Sequence, residues 1–519
     1  MRSIASPTPA FSRRVSGAAL AAAVALVVCH PAGRALGHDL FVSSAAVDQP
    51  RINVAFAPAG TPQSPFIGEG FDPFNPEEPF FDTIQVQAFW DTGASGMIIS
   101  ESIAEALGMG RQTFGGQDVI FSDVSPGGLT PFWVSEEVVV RIAPSLGLLD
   151  GVQPYMDLFS DPANFTTVYD ATGPTPARLQ IGPIGGGNPL LGDLNVMGMP
   201  TMLGKIAVFD PRPTDNLLTL IDDVDGNEDF DVQMRSWMYE GGNVPGTVPG
   251  GGAPTLLNPG IPDYDVSIAL SYADFSRYTL LEPAGAAPPS LAYNPFIGPN
   301  PVLGPQPGDA PPVVMRMGNL EMEGSWLLDT GAAASFISEA KAADLGVSYD
   351  PANPLGSDTP QLLGVPLDRQ FTLSLSGISG EVITVAGFYA DEMILPTEQA
   401  ADPANPDDPE NLKYVGAPVL VFDIELEDPD TGAISTLDGI LGMNFFVASS
   451  DIIQVDNELV PIFLNGRESP FDAIVFDEPN GKLYLSFDGG WPVPEPSALA
   501  SLALGLPVLL RRRRHQWRR

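Results

Sequence analysis

The chain has 519 residues, 24 Lys+Arg against 64 Asp+Glu, and a formal net charge of -40. That balance excludes a phosphate-binding basic footprint, so nucleic acid is not an expected partner. Hydrophobic content of 44% supports real cores, while Gly 54 and Pro 54 favour strands, turns and irregular connections over long helices.

The first segment, "RRVSGAALAAAVALVVC", sets basic residues before an apolar stretch from Ala18 to Val28, with small residues near Gly37. It reads as a secretory signal peptide over residues 1–37. Cys29 is the only cysteine and lies in that segment, so the mature body is expected to carry no disulfide. The histidines are His30, His38 and His515. With at most one His and no Cys in the body, Ser-His-Asp and Cys-His catalysis and thiolate or His-rich metal sites drop out. No Walker loop or credible Rossmann fingerprint is present, so no cofactor or metal is expected. Carboxylates remain as the leading candidates for proton transfer.

Alternating segments such as "TIQVQAFW" predict a strand running into Asp91. Residues 91–110, "DTGASGMIISESIAEALGMG", then recur as 329–348, "DTGAAASFISEAKAADLGVS", with 10 of 20 positions identical and no gap. "PFIG" at 65–68 recurs at 295–298, and "NVMGMP" at 195–200 resembles "GILGMN" at 439–444. The Asp-to-Gly spacings are 107 and 113 residues. A duplicated unit of two copies is the simplest explanation. Each copy predicts a strand, an Asp-Thr-Gly turn and a short helix over 100–107 or 338–345. Ser100 or Ser338 is the N-cap, and Gly108 or Gly346 the stop. Further strands follow, so the fold class expected is mostly β with short helices, in two lobes, 50–210 and 313–490. The intervening 211–312 reads as an acidic, then Pro/Gly-rich spacer, with 268–282 as one ordered element. Within it, Asp222–Asp231 alternates acidic residues around Gly226. It lacks the first and last ligands of a calcium loop, so a solvated acidic turn is expected.

The C-terminal residues 491–519 place Pro494 to Pro496, "PEP", before an apolar run from Ser497 to Leu510 and then Arg511 to Arg514. This resembles the PEP-type C-terminal sorting signals of Gram-negative bacteria. The resemblance implies an exosortase-like processing enzyme as a partner and a short transmembrane segment. It also implies an exported, cell-surface or extracellular protein held transiently at the inner membrane.

The duplicated DTGA, followed by small residues, Ile-Ser, a short helix and Leu-Gly, resembles the aspartic proteases. The two-lobed arrangement is similar to the pepsin type, and the Ala after each triplet to the retroviral type. The resemblance implies a pepsin-like acid protease β-barrel fold and an aspartic endopeptidase with Asp91 and Asp329 as the catalytic pair. Thr92, Gly93, Thr330 and Gly331 would support them, with a polypeptide substrate and, both copies being in one chain, a monomer. Two like charges that close share one proton, which supplies an acid and a base in one site. Phe132 and Trp133, in "SPGGLTPFWVSEE", are the flap candidates. Trp90 before Asp91 and Pro200 opposite Asn444 depart from the family's pattern. They leave a second class open: an inactive two-lobed surface protein that binds peptide or polysaccharide.

Overall fold

The computed structural model describes residues 38–58, 86–125, 128–145, 166–169, 177–184, 194–215, 234–240, 260–274, 279–280, 285–306, 309–376, 382–427, 434–455 and 458–487. All lie in one compact unit, Gly37–Arg519. The described chain is mostly β, with few helices and no closed barrel. The signal-like residues 1–37, the Asp222–Asp231 turn and the tail 491–519 lie outside the described residues. The expected transmembrane segment needs correcting. Among the described residues no helix is long and apolar enough to cross a membrane. The run Ser497 to Leu510 is also shorter than the roughly 20 residues a helical span requires.

Two sheets dominate, one of ten strands and one of fifteen. The ten-stranded sheet holds the first Asp-Thr-Gly triplet and the larger sheet the second. Around each triplet the strands are wound alike. In the first half Val86–Trp90 leads into Asp91, and Met97–Ile99 leaves it. Val196–Met197 inserts between them, parallel to the first and antiparallel to the second. In the second half Trp326–Leu328 and Phe336–Ile337 take those places, and Gly439–Leu441 inserts with the same two senses. The outgoing strand then pairs in parallel with a fourth, Gln180–Ile181 or Leu412–Val421. The alternating burial of Val86–Trp90 follows the period of two expected of a half-buried strand.

Both short helices form, Glu101–Ala106 and Glu339–Asp344. The Ser100 hydroxyl accepts from the Ile103 amide at 3.3 Å, and the Ser338 hydroxyl from the Lys341 amide at 3.2 Å. Each satisfies one of the amides a helix start leaves orphaned. Gly108 (φ 64°) and Gly346 (φ 74°) then end the turns in the left-handed region. Ala104 and Ala342 are the buried residues of the two helices.

The stretch expected as spacer is partly woven into the larger sheet. Arg235–Glu240 pairs with Lys205–Asp210, the end of the expected first lobe, which itself pairs with Ala473–Asp477. Val266–Ala273 pairs with Lys482–Ser486 and with Asn294–Ile297, which in turn pairs with Trp326–Leu328. The N-terminal segment also belongs to the second half: His38–Leu40 runs parallel to Leu412–Tyr414, and Ala45–Ala46 pairs with Ser449–Ser450. One apolar core is shared by residues of both halves, with Trp90, Trp326, Tyr414 and Phe445 among its fully buried members.

Candidate active site

The two Asp-Thr-Gly turns meet. The Thr92 hydroxyl donates to the Leu328 carbonyl at 2.6 Å, and the Thr330 hydroxyl donates to the Trp90 carbonyl at 2.6 Å. Each hydroxyl also accepts from the backbone amide of the other threonine, Thr92 N to Thr330 Oγ1 at 2.9 Å and Thr330 N to Thr92 Oγ1 at 3.1 Å. The hydroxyls are buried, so each of these four bonds answers a group that would otherwise be desolvated without a partner. Thr92 and Thr330 therefore lock the turns to one another across the approximate two-fold.

That lock brings Asp91 and Asp329 into side-chain hydrogen-bond contact. Gly93 and Gly331 lie on the opposite carboxyls. A Cβ on Gly93 would collide with the Asp329 carboxyl, and one on Gly331 with that of Asp91. This is why the third residue of both triplets is glycine: the need is close approach rather than an unusual φ. The carboxyls are enclosed by protein on most sides yet keep part of their surface open to solvent.

The pair is unequal. Burial raises both acids above the ordinary carboxylate range. Asp91 Oδ1 accepts from the amides of Gly93 at 2.7 Å, Ala94 at 3.2 Å and, across the pair, Gly331 at 3.2 Å. Those donors favour its ionised form. Asp329 Oδ1 accepts from Gly331 at 2.9 Å, and the neighbouring Asp91 charge pushes its carboxyl up further. The Ala332 amide also turns toward Asp329, but the fuller set of amide donors on Asp91 favours it as the ionised member, with the shared proton on Asp329. An ionised carboxylate beside a protonated one offers a base and an acid to one reacting group.

The flap candidates are placed differently from the six dyad residues. Their hairpin exists, Ile120–Ser125 against Gly128–Val134. Phe132 is 1% exposed and packs with Ile98, Val196 and Ala94, behind the first turn. Trp133 lies half-buried beneath the Arg111 guanidinium, 3.6 Å from its ring centre. Among the described residues no cluster of His, Cys, Asp or Glu is arranged to hold a metal ion.

Sequence reasoning passed over Gln49, Asn294 and Ser335, and met Asn444 only as the residue opposite Pro200. The Ser335 hydroxyl donates to Asn444 Oδ1 at 2.8 Å and accepts from the Gly442 amide at 2.8 Å. The Asn444 amide donates on to the Ser43 carbonyl at 3.3 Å. Gln49 and Asn294 touch the turns themselves. The signal for them was a short one: "QPRI" at 49–52 matches "NPFI" at 294–297 as amide, Pro, any residue, Ile.

No family model and no curated protein matches the chain. Among solved structures, the crystal structure of edgp is similar at 11% identity and a TM-score of 0.27, over 85% of this chain and 95% of that one. A likeness at that TM-score bears on neither fold nor activity.

Proposed function

We propose that the protein is an aspartic endopeptidase of the two-lobed, pepsin-like kind, hydrolysing polypeptides through Asp91 and Asp329. The observation that carries this reading is the hydrogen-bonded carboxyl pair held by two reciprocally locked Asp-Thr-Gly turns. Ionised Asp91 takes a proton from a water as its oxygen bonds to the peptide carbonyl carbon. Asp329 gives its proton to the carbonyl oxygen as the C=O π electrons move there. Collapse of the tetrahedral gem-diol breaks the C–N bond: the leaving amine takes the proton held on Asp91, while one diol hydroxyl returns its proton to Asp329 as the new C=O forms, restoring the starting pair. The residual solvent exposure of Asp91 and Asp329 supports this reading over that of a purely structural buried pair.

The test is cleavage of an unfolded protein at acid pH. Asp91→Asn or Asp329→Asn should each lower the rate by about 10³-fold, and the double variant by little more, since the pair acts as a unit. Activity should fall as pH rises through the raised pKa of Asp329. Stability follows the same sign. The folded pKa of Asp329 exceeds its unfolded value, so its favourable contribution is complete below about 3.8 and is lost as pH rises toward the folded value. Asp329→Asn should therefore stabilise the fold at neutral pH and match the parent in strong acid. A wild-type chain that binds peptides but cleaves none under any acid condition would leave an inactive binding protein.

A further inference from the structure

Beyond the threonine lock lies a second crossed contact. Arg51 faces Phe89 in the strand leading to Asp91, and Phe296 faces Leu327 in the strand leading to Asp329. Arg51 and Phe296 are therefore equivalent, and so are the residues two positions earlier, Gln49 and Asn294. Each reaches over to the other half. Asn294 Nδ2 donates to the carbonyls of Thr92 at 3.0 Å and Gly93 at 2.9 Å. Gln49 Nε2 donates to the carbonyl of Gly331.

These carbonyls belong to peptide units that matter to the carboxyls. The Thr92 carbonyl shares its peptide with the Gly93 amide, and the Gly93 carbonyl with the Ala94 amide. Both amides donate to Asp91. The Gly331 carbonyl shares its peptide with the Ala332 amide, which turns toward Asp329. A donor on a peptide oxygen polarises the N–H at its other end and strengthens the bond that N–H makes. Asn294 is buried and acts on two such units, while Gln49 is half-buried and acts on one.

We propose that Asn294 and Gln49 are crossed positioning residues which orient and polarise the peptide units around the dyad, and that their inequality selects Asp91 as the ionised member. The proposal rests on the peptidase reading for its catalytic consequence, but not for its electrostatic one. The groups facing Asp91 are Asp329 and the amides of Gly93, Ala94 and Gly331, and those facing Asp329 are Asp91 and the amides of Gly331 and Ala332. Neither amide side chain meets a reacting atom, so loss should appear in kcat and in the pH profile, with KM little changed.

The experiment compares Asn294→Leu and Gln49→Met in the full chain. Carbon-13 NMR of labelled aspartate follows the two carboxyls with pH, alongside kcat and KM for an unfolded protein substrate. Asn294→Leu should move the lower apparent pKa of the pair, and the acid limb of kcat, upward, and lower kcat about tenfold. Gln49→Met should do less. Folded variants whose titration and acid limb coincide with the parent's would overturn the proposal, as would a larger shift from Gln49→Met. Asn294→Ser, which keeps a donor in a smaller side chain, is the arm to read if Asn294→Leu fails to fold, with the same expected direction and the same overturning result. Coupled titration that shifts as expected in a chain without peptidase activity would sink the functional reading and leave this one standing.

Discussion

The first and second halves keep the same backbone contacts around their aspartates and exchange the side chains behind them. Asp91 N bonds the Met197 carbonyl at 3.1 Å, and Asp329 N the Leu441 carbonyl at 3.0 Å. Met199 N bonds the Ala94 carbonyl at 2.9 Å, and Met443 N the Ala332 carbonyl at 2.8 Å. Behind this shared frame the bulk is moved. The first half has Trp90 before its aspartate and Thr201 three residues past its closing glycine. The second has Leu328 and Phe445 at those places, all four buried. The large ring sits on one member of the pair in one half and on the other member in the other half. The polar bracing differs too. Gly442 N is met by the Ser335 hydroxyl, whereas Gly198 N is met by the Gly96 carbonyl at 3.1 Å. The lesson is that a symmetric carboxyl pair demands a symmetric backbone and tolerates unlike packing, provided each half fills its own volume.

Trp90 offers the largest expected break in that balance. Its ring lies edge-on to Phe209 at 5.5 Å, and its Nε1 donates to the Thr201 hydroxyl at 3.1 Å. Trp90→Leu should cost about 3 kcal/mol by chemical denaturation, from the cavity and the hydroxyl left behind. Adding Thr201→Phe, which imports the second half's pairing, should recover part of the loss. No recovery would mean the two halves do not exchange volume as described.

A smaller effect tests the lock, where the halves are most alike. Thr92→Val and Thr330→Val should each cost about 2 kcal/mol, because a buried carbonyl and a buried amide lose their partners. The double variant should cost less than the sum, since each change already unmakes bonds involving the other residue. Additive losses in denaturant melts would show that the two turns are held independently.

Smallest is the outer bracing, where the halves differ. Asn444→Ala should cost about 1 to 2 kcal/mol by breaking the chain from Ser335 to Ser43. Pro200→Ala, at the equivalent place, should stay within about 0.5 kcal/mol. Equal costs in the same melts would remove the asymmetry.

Much of the site could be read from the sequence because its determinants are local: the triplet, the small residues after it, the serine caps and the stopping glycines all lie within 91–108 and 329–346. What escaped was non-local. Nothing in "HDLFVSSAA" tells that it pairs with residues beyond 410, and nothing local joins Lys205–Asp210 to Ala473–Asp477. Asn294 was hidden in a Pro/Gly-rich stretch that composition assigns to linker. The repeat of "PFIG" at 65–68 masks the structural equivalent of 295–298, which by register is 50–53. Phe132 was expected over the substrate from its place in the hairpin. The alternation of that strand turns it instead into the small cluster around Ala94.

The placement of residues 38–46 has a consequence for synthesis. The Ser43 amide bonds the Ser449 hydroxyl across a separation of 406 residues. At about 5 to 20 residues per second, the chain's early strands wait roughly 20 to 80 s before their partners exist. Within that interval the carbonyl of Gly331 and then the network around Asn444 are made in turn, so the second aspartate is the later part of the dyad to be framed. The frame around the carboxyl pair therefore closes only once residues near 449 have been made and the segment 38–46 can pair with them.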